Sequence, residues 1–174
     1  MAAGECTPVD HRIRPMKRVP GAAQHPNAGR VRKFEVRDAP AVEEILRKSP
    51  EAAAWTRDSL ERLNLRGELA WVIGKHGAIA GFLVARAVEH QAEILNLSVD
   101  PAKRRAGGAS ALLQAAIAEL RQRQVRRAFL EVRESNLAAI AFYGKHGFVA
   151  TGKRPNYYRD PDEGAVLMMR ELTG

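Results

Sequence analysis

Asn96-Leu97-Ser98-Val99-Asp100-Pro101, followed after two residues by Arg104-Arg105-Ala106-Gly107-Gly108-Ala109, decides how this chain is read. An apolar strand ends at Val99, a basic glycine-bearing turn follows, and a long amphipathic helix opens at Ser110. A turn of this kind leaves successive backbone N–H groups unpaired at the positive end of a helix dipole, which makes a place for phosphate or pyrophosphate. Glycine matters there because a Cβ would hold the backbone away from a diphosphate. The spacing contains neither G-x-x-x-x-G-K-[ST] nor G-x-G-x-x-G, so neither nucleotide fingerprint applies. Taken alone, these residues also fit a solvated strand-to-helix connection.

Outward from that turn, periodicity places the other elements. Lys33–Arg37 alternates as a first strand, and Ala39–Lys48 carries Val42, Ile45 and Leu46 at helical spacing until Ser49-Pro50 breaks it. Thr56 suits the N-cap of a short second helix through Leu63, with Leu60 and Leu63 inward. Leu69–Gly74 and Ile79–Ala87 read as strands around a His76-Gly77 turn, and Glu93–Val99 as the fourth strand. Ser110–Gln124 is a helix burying Leu112, Leu113, Ala116, Ile117 and Leu120. Arg127–Arg133 is the next strand, then a helix from Asn136 to His146 is stopped by Gly147. Phe148–Lys153 and Ala165–Glu171 close the sheet, joined by a tyrosine-bearing loop over 154–164. Helices before, between and after such strands predict an α/β fold: a single mainly antiparallel mixed sheet flanked by about four helices.

The chain of 174 residues, 45% hydrophobic and 28% charged, suits one soluble domain with a sizeable core. No apolar run approaches the ~20 residues that span a bilayer, and the N-terminus lacks the apolar stretch of a secretory signal. Cys6 is the single cysteine, so nothing argues for an oxidising compartment and the cytoplasm is the expected location. The net charge of +8 is unevenly placed, because Arg12, Arg14, Lys17, Arg18, Arg30, Arg32 and Lys33 meet only Glu5 and Asp10 within residues 1–33. With Pro8, Pro15, Pro20 and Pro26 and little apolar periodicity, residues 1–31 read as a flexible basic arm ahead of a domain spanning 32–174. The arm fits a tether to RNA or ribosome, or a solvated extension.

The glycine turn also fits Gln/Arg-x-x-Gly-x-Gly/Ala, with Arg104, Gly107 and Ala109 in the defining places. That pattern resembles the pyrophosphate-binding turn of the GNAT superfamily of N-acetyltransferases, which hold acetyl-coenzyme A. Leu130-Glu131-Val132-Arg133-Glu134-Ser135-Asn136-Leu137-Ala138-Ala139-Ile140-Ala141-Phe142-Tyr143, then Gly147-Phe148 and Asn156-Tyr157-Tyr158, is similar to the bacterial ribosomal-protein-alanine N-acetyltransferases. Members of that group acetylate the N-terminal amine of a ribosomal protein. The resemblance covers roughly residues 32–172 and is close from Ile94 to Tyr158. It implies the GNAT fold, with a bulge that splays the fourth and fifth strands apart. It further implies acetyl-coenzyme A as co-substrate, no metal, and a protein N-terminal peptide as acceptor.

An amine attacking a thioester must arrive neutral, the carbonyl must be polarised, and the departing thiolate must be stabilised or protonated. Cys6 lies far from these motifs, and the chain has neither Cys-x-x-Cys nor His-x-x-x-His, so covalent and metal chemistry find no candidates. Glu131 is a carboxylate in mid-strand, where burial needs a reason. The resemblance implies that it takes the ammonium proton through water; a salt bridge to Arg133 or Arg127 is the structural alternative. Tyr143 matches the family tyrosine that protonates the thiolate. A phenol of pKa about 10 loses little in donating to a thiolate of about 8.5–10, and a packed core tyrosine is the alternative.

Asn136 matches an asparagine that reaches coenzyme A and is also a good N-cap. Leu97, Ser98 and Val99 would pair their backbone with the pantetheine arm, and Val99 N–H would polarise the carbonyl. The phosphates fall to the turn formed by Arg104, Arg105, Ala106, Gly107, Gly108, Ala109 and Ser110. Tyr157 and Tyr158, adjacent in a loop, would grip the first residues of the acceptor, and Trp55 would wall its cleft. His76, His90 and His146 read as turn or surface histidines. Three positions depart from the family pattern: Ala109 for the usual Gly, Lys103 for a frequent aromatic, and Ala54 before Trp55 where Pro is typical.

Deprotonating lysine near pH 7 costs about 2.5 pK units, ~3.5 kcal/mol, more than deprotonating an α-amine, which favours a protein N-terminus as acceptor. Two other readings stand beside this one. The first is a GNAT enzyme acting on a small amine. The second is a nucleic-acid-binding protein using the arm with Arg121, Arg123, Arg126 and Arg127, although the chain has no zinc finger or RNA-recognition signature. No membrane contact is expected.

Overall fold

Seven strands share one sheet: β1 (Arg30–Lys33), β2 (Glu68–Lys75), β3 (Ala78–Val88), β4 (Gln91–Val99), β5 (Arg127–Arg133), β6 (Val149–Arg159) and β7 (Asp162–Glu171). The helices among the described residues are α1 (Ala39–Arg47), α2 (Arg57–Glu61), α3 (Gly108–Gln122) and α4 (Leu137–Lys145). The computed structural model describes residues 29–172 apart from 53, 54, 64–66 and 76. Most of the basic arm, Cys6, Ala54 and His76 therefore lie outside the described residues. The strand order is β1-β2-β3-β4-β5-β7-β6, and every pairing is antiparallel except β4 with β5.

Alternation along the central strands divides the core in two. On β2, Ala70 and Val72 face one way and Trp71 and Ile73 the other; on β3, Phe82 and Val84 oppose Leu83 and Ala85. The first face packs on α1 and α2 through Val42, Ile45 and Leu60. The second packs on α3 and α4, chiefly Leu112, Leu113, Ala116, Ile117 and Leu120. Each such fully buried aliphatic side chain contributes roughly 1.5–3 kcal/mol relative to exposure.

Local chemistry fixes the helix ends. Thr56 caps α2 in a reciprocal box: its hydroxyl accepts from Ser59 N–H at 3.2 Å, and its own N–H donates to Ser59 Oγ at 3.0 Å. Asn136 caps α4 by accepting from Ala139 N–H at 3.0 Å. Gly147, at φ 79°, ends that helix in the left-handed conformation expected of a C′ glycine.

The middle of the sheet is split. β4 pairs with β5 only at Gln91↔Arg127, Ala92↔Ala128 and Glu93↔Phe129. Immediately beyond, the β3–β4 register slips from Ala85↔Ile94 to Val84↔Asn96, which leaves Leu95 without an opposite residue. A bulge bends its strand and increases local twist, so β4 swings away from β5 from Ile94 onward. The predicted splay is present, and its cause is one inserted residue.

Two expectations need correction. The first strand is Arg30–Lys33 rather than Lys33–Arg37, and Val36–Asp38 forms a 3-10 turn. The turn closes because Asp38, 5% exposed, takes both terminal nitrogens of Arg32 at 2.7 Å and Glu35 N–H at 2.9 Å. Arg32 and Lys33, counted above with the arm, are thus structural cations, Lys33 pairing with Glu119 at 2.5 Å above the Trp71 ring. The second correction concerns 154–164, where β6 runs on to Arg159 and a tight turn returns to β7 at Asp162. Pro155 and a register break between Arg154 and Tyr158 disguise the strand; both are tolerated because β6 is a sheet edge. α3 also starts earlier than Ser110, at Gly108. No helix among the described residues is long and apolar enough to cross a membrane.

Candidate active site

The split between β4 and β5 opens into a groove of about 860 Å³. Leu97, Ser98 and Val99 line one wall with the β4 edge that has lost its partner, while Leu130, Glu131, Val132 and Arg133 line the other. Arg104, Arg105, Gly107, Gly108, Ala109 and Ser110 form one end, and Asn136 and Tyr143 of the α4 segment contribute from the side. The sequence-predicted cofactor residues therefore converge, except that Ala106 is exposed in the turn and lines no part of the groove.

The turn has the properties a diphosphate needs. Gly107 is the N-cap of α3 at φ 85°, with no side chain to cap the helix. The first bond of the helix is Ala111 N–H to Gly107 C=O at 3.0 Å, so the amides of Gly108, Ala109 and Ser110 precede it and face the mouth of the dipole. Ala109 is accommodated, packing its methyl against the larger core cluster. Asn136 lines the groove while capping α4. The residues fit a phosphate-bearing cofactor with an extended arm. No group of three or more His, Cys, Asp or Glu side chains among the described residues is placed to hold a metal.

Arg104 behaves differently from expectation. Its Nε donates to Val99 C=O at 3.1 Å, and one terminal nitrogen donates to Ser49 Oγ at 3.1 Å and to the Glu51 carboxylate at 2.5 Å. Ser110 hydrogen-bonds His146 Nε2 at 3.0 Å. His146 is thus half-buried behind Ser110 rather than a surface histidine, and burial followed by the charge of Arg170 holds its pKa below the ordinary value.

Glu131 alternates with Leu130 and Val132, which belong to the α3–α4 core, so its side chain faces the other side of the sheet. There it meets neither Arg133 nor Arg127. Arg154 Nε lies 3.0 Å from its Oε1, and the Tyr157 hydroxyl donates to it. That bond raises the Tyr157 phenol to about 12, with smaller contributions from desolvation and the Glu131 charge. Arg133 is held elsewhere, by Glu163 at 2.6 Å and Asp160 C=O at 2.9 Å, with its guanidinium 4.2 Å over the Tyr158 ring. A second cavity, about 420 Å³, lies on this face between Arg86, Glu93, Phe129, Leu167 and Arg154, and it shares Leu130 and Glu131 with the cofactor groove.

Tyr143 is 8% exposed, packed edge-on against Phe142 and Phe148 at centroid distances of 5.2 and 5.6 Å, yet it lines the groove. Burial pushes its pKa up, so the phenol stays protonated. Full transfer of that proton to an acceptor then costs more than the free pKa of a phenol implies. Tyr157 and Tyr158 stand in β6 rather than a loop, their rings perpendicular at 5.1 Å. Tyr157 is 45% exposed and Tyr158 lines the groove. Trp55 packs against the α1–α2 core cluster and lines neither cavity.

Sequence reasoning missed Arg154, Glu51 and His146. Each acts through a partner 23 to 53 positions away in sequence, a separation that carries no local signal.

Residues 36–148 match the model of the acetyltransferase (GNAT) family. The chain is 35% identical over 137 residues to the [ribosomal protein bS18]-alanine N-acetyltransferase of Escherichia coli, covering 78% of this chain and 92% of that protein. Among solved structures, the Escherichia coli ribosomal-protein-alanine N-acetyltransferase superposes with a TM-score of 0.74 at 33% identity, over 83% of this chain and 94% of the other. Ard1 from Thermoplasma volcanium gives 0.75 at 32% identity, over 84% and 99%.

Proposed function

Because the chain belongs to the GNAT family of acetyltransferases, we propose that it transfers the acetyl group of acetyl-coenzyme A to the α-amine of a protein N-terminus, by direct attack within a ternary complex. The carrying observation is that two cavities, one in the split between β4 and β5 and one beside it along β5, meet at Leu130 and Glu131. One has the amide-lined end and exposed strand edge suited to a phosphate-bearing cofactor. The other is open beside the exposed Tyr157 and suits an incoming chain. The Escherichia coli relatives named above act on a ribosomal-protein alanine, which supports a ribosomal acceptor and hence a cytoplasmic location.

The bound co-substrate supplies a thioester. Glu131, oriented by Arg154 and Tyr157, accepts the ammonium proton through water, its remaining lone pairs being free for that water. The amine nitrogen would bond to the carbonyl carbon as the carbon–sulfur bond breaks, with Val99 N–H polarising the carbonyl, Tyr143 hydrogen-bonding the departing thiolate, and the thiolate taking up the second proton that the amine sheds. Leu97 and Ser98 hold the extended arm of the cofactor.

The test is competitive acetylation of peptides with a free N-terminal alanine against the same peptides blocked at the N-terminus but carrying lysine, the modified nitrogen being located by tandem mass spectrometry. The ~3.5 kcal/mol protonation gap predicts at least about tenfold slower reaction of the blocked peptides. Comparable lysine modification would overturn the N-terminal acceptor while leaving acetyl transfer intact.

A further inference from the structure

The turn that receives the phosphates and the connection between α1 and α2 are strapped together twice. Arg104 reaches across 53 positions to Glu51 and 55 to Ser49. Lys48 Nζ lies 3.7 Å from Asp100 Oδ2, which belongs to the same turn. The anchor on the far side is firm. Ser49 is 1% exposed, donates its N–H to Leu46 C=O at 2.9 Å and accepts from Ala52 N–H at 2.9 Å, so it closes the turn that ends α1. Asp100 is fixed in turn by its N–H to Ala80 C=O at 2.8 Å and by capping Ala102 N–H at 3.0 Å.

This arrangement matters because of what the strapped connection does. Pro50, Glu51 and Ala52 line the groove opposite Arg105 and Gly107, and the same connection leads into Trp55 and the cap of α2. Glu51 places a carboxylate in a groove whose ligand carries phosphates. Unpaired, it would repel them; paired with Arg104 it does not. Arg104 has Nε and one terminal nitrogen committed to protein acceptors, so the protein itself fixes where this guanidinium sits.

We infer that Arg104 is a positioning residue for the acetyl transfer, holding the α1–α2 connection on the cofactor turn so that filling the groove and setting the wall that leads to Trp55 are one event. The inference rests on coenzyme A occupying the groove, as proposed above, but not on the identity of the acceptor.

The chain has two tryptophans, Trp55 and the buried Trp71. In a Trp71→Phe background, Trp55 alone reports on the connection. Coenzyme A is titrated into that protein and into its Arg104→Met and Glu51→Gln derivatives, following heat and Trp55 emission in parallel. The background protein should show both heat and an emission change. Glu51→Gln should keep coenzyme A affinity within about fivefold, the reach of an exposed ion pair; Arg104→Met should bind more weakly, because it leaves the Glu51 carboxylate unpaired in the groove; both should lose most of the emission change. An Arg104→Met protein that does not fold leaves Glu51→Gln, a surface change, to carry the test. Emission that does not respond in the background protein, a response that survives in Glu51→Gln, or an Arg104→Met affinity loss that adding Glu51→Gln does not restore would each overturn the coupling, the last by making Arg104 a phosphate ligand. Absence of heat in the background protein would refute the cofactor reading and this inference with it.

Discussion

Adjacent glycines in the phosphate turn should respond to the same substitution with opposite signs. Gly107 sits at φ 85°, ψ 2°. An L-residue there pays roughly 1–2 kcal/mol of left-handed strain. Gly108 begins α3 in a conformation open to any residue, and a Cβ on it would meet Val99 Cγ2 at 3.8 Å and Ile73 Cγ2 at 3.9 Å, ordinary apolar contact. Alanine at Gly108 restricts the unfolded chain and adds a packed methyl, for a gain of roughly 0.4–1 kcal/mol. At about 2–4 °C per kcal/mol for a chain of this size, Gly107→Ala should lower Tm by roughly 2–8 °C and Gly108→Ala should raise it by roughly 1–4 °C. The new methyl of Gly108→Ala points at β2 and β4 rather than into the groove, so coenzyme A affinity should hold there and fall in Gly107→Ala. Circular-dichroism melts and calorimetric titration measure both quantities. Equal shifts in the two variants, or a loss of stability in Gly108→Ala, would refute the assigned turn geometry.

Two further outcomes follow from the site. Glu131→Gln and Tyr143→Phe keep shape and should each lower kcat by roughly 10²–10⁴, the range for losing a general base or acid, with coenzyme A binding unchanged; a fall in Tm at constant kcat would assign them to packing. His146 is held below its ordinary pKa, so the unfolded chain takes its proton more readily than the folded one. The stability of the neutral ring is therefore present above pH about 6.5 and lost as pH falls below it. His146→Gln should flatten the decline of Tm between about pH 7 and 5, and an unchanged acid limb would remove His146 from it.

What was readable in the sequence was periodic or local. Val42 and Ile45 announced α1, Thr56 announced the cap of α2, and the run from Asn136 to Gly147 announced a helix with both ends. The glycine turn and Glu131 were legible because motif spacing survives in one dimension. What failed was decided across the sheet. Lys33–Arg37 alternates like a strand, but Asp38 draws Arg32 and Glu35 N–H into a turn that no local propensity encodes. Pro155 makes 154–159 look like a loop, although an edge strand needs no donor there. The straps from Arg104 to Ser49 and Glu51 were invisible because those partners lie half a hundred residues upstream.

The inserted residue at Leu95 has a wider consequence. Sheet edges normally lie on the outside of a protein, where charged side chains and short strands discourage foreign chains from adding to them. Here the bulge creates an edge indoors, between β4 and β5, walled by α4 on one side and by a strand already satisfied by β7 on the other. A polypeptide would bring a side chain at every residue against α4 on one face of the split. An arm of amides and methylenes would bring far fewer. The split thus works as a width gauge, offering backbone hydrogen bonds to a threadlike ligand while denying them to another protein strand. The molecule carries an unsaturated edge without the hazard of aggregation that such an edge brings at a surface.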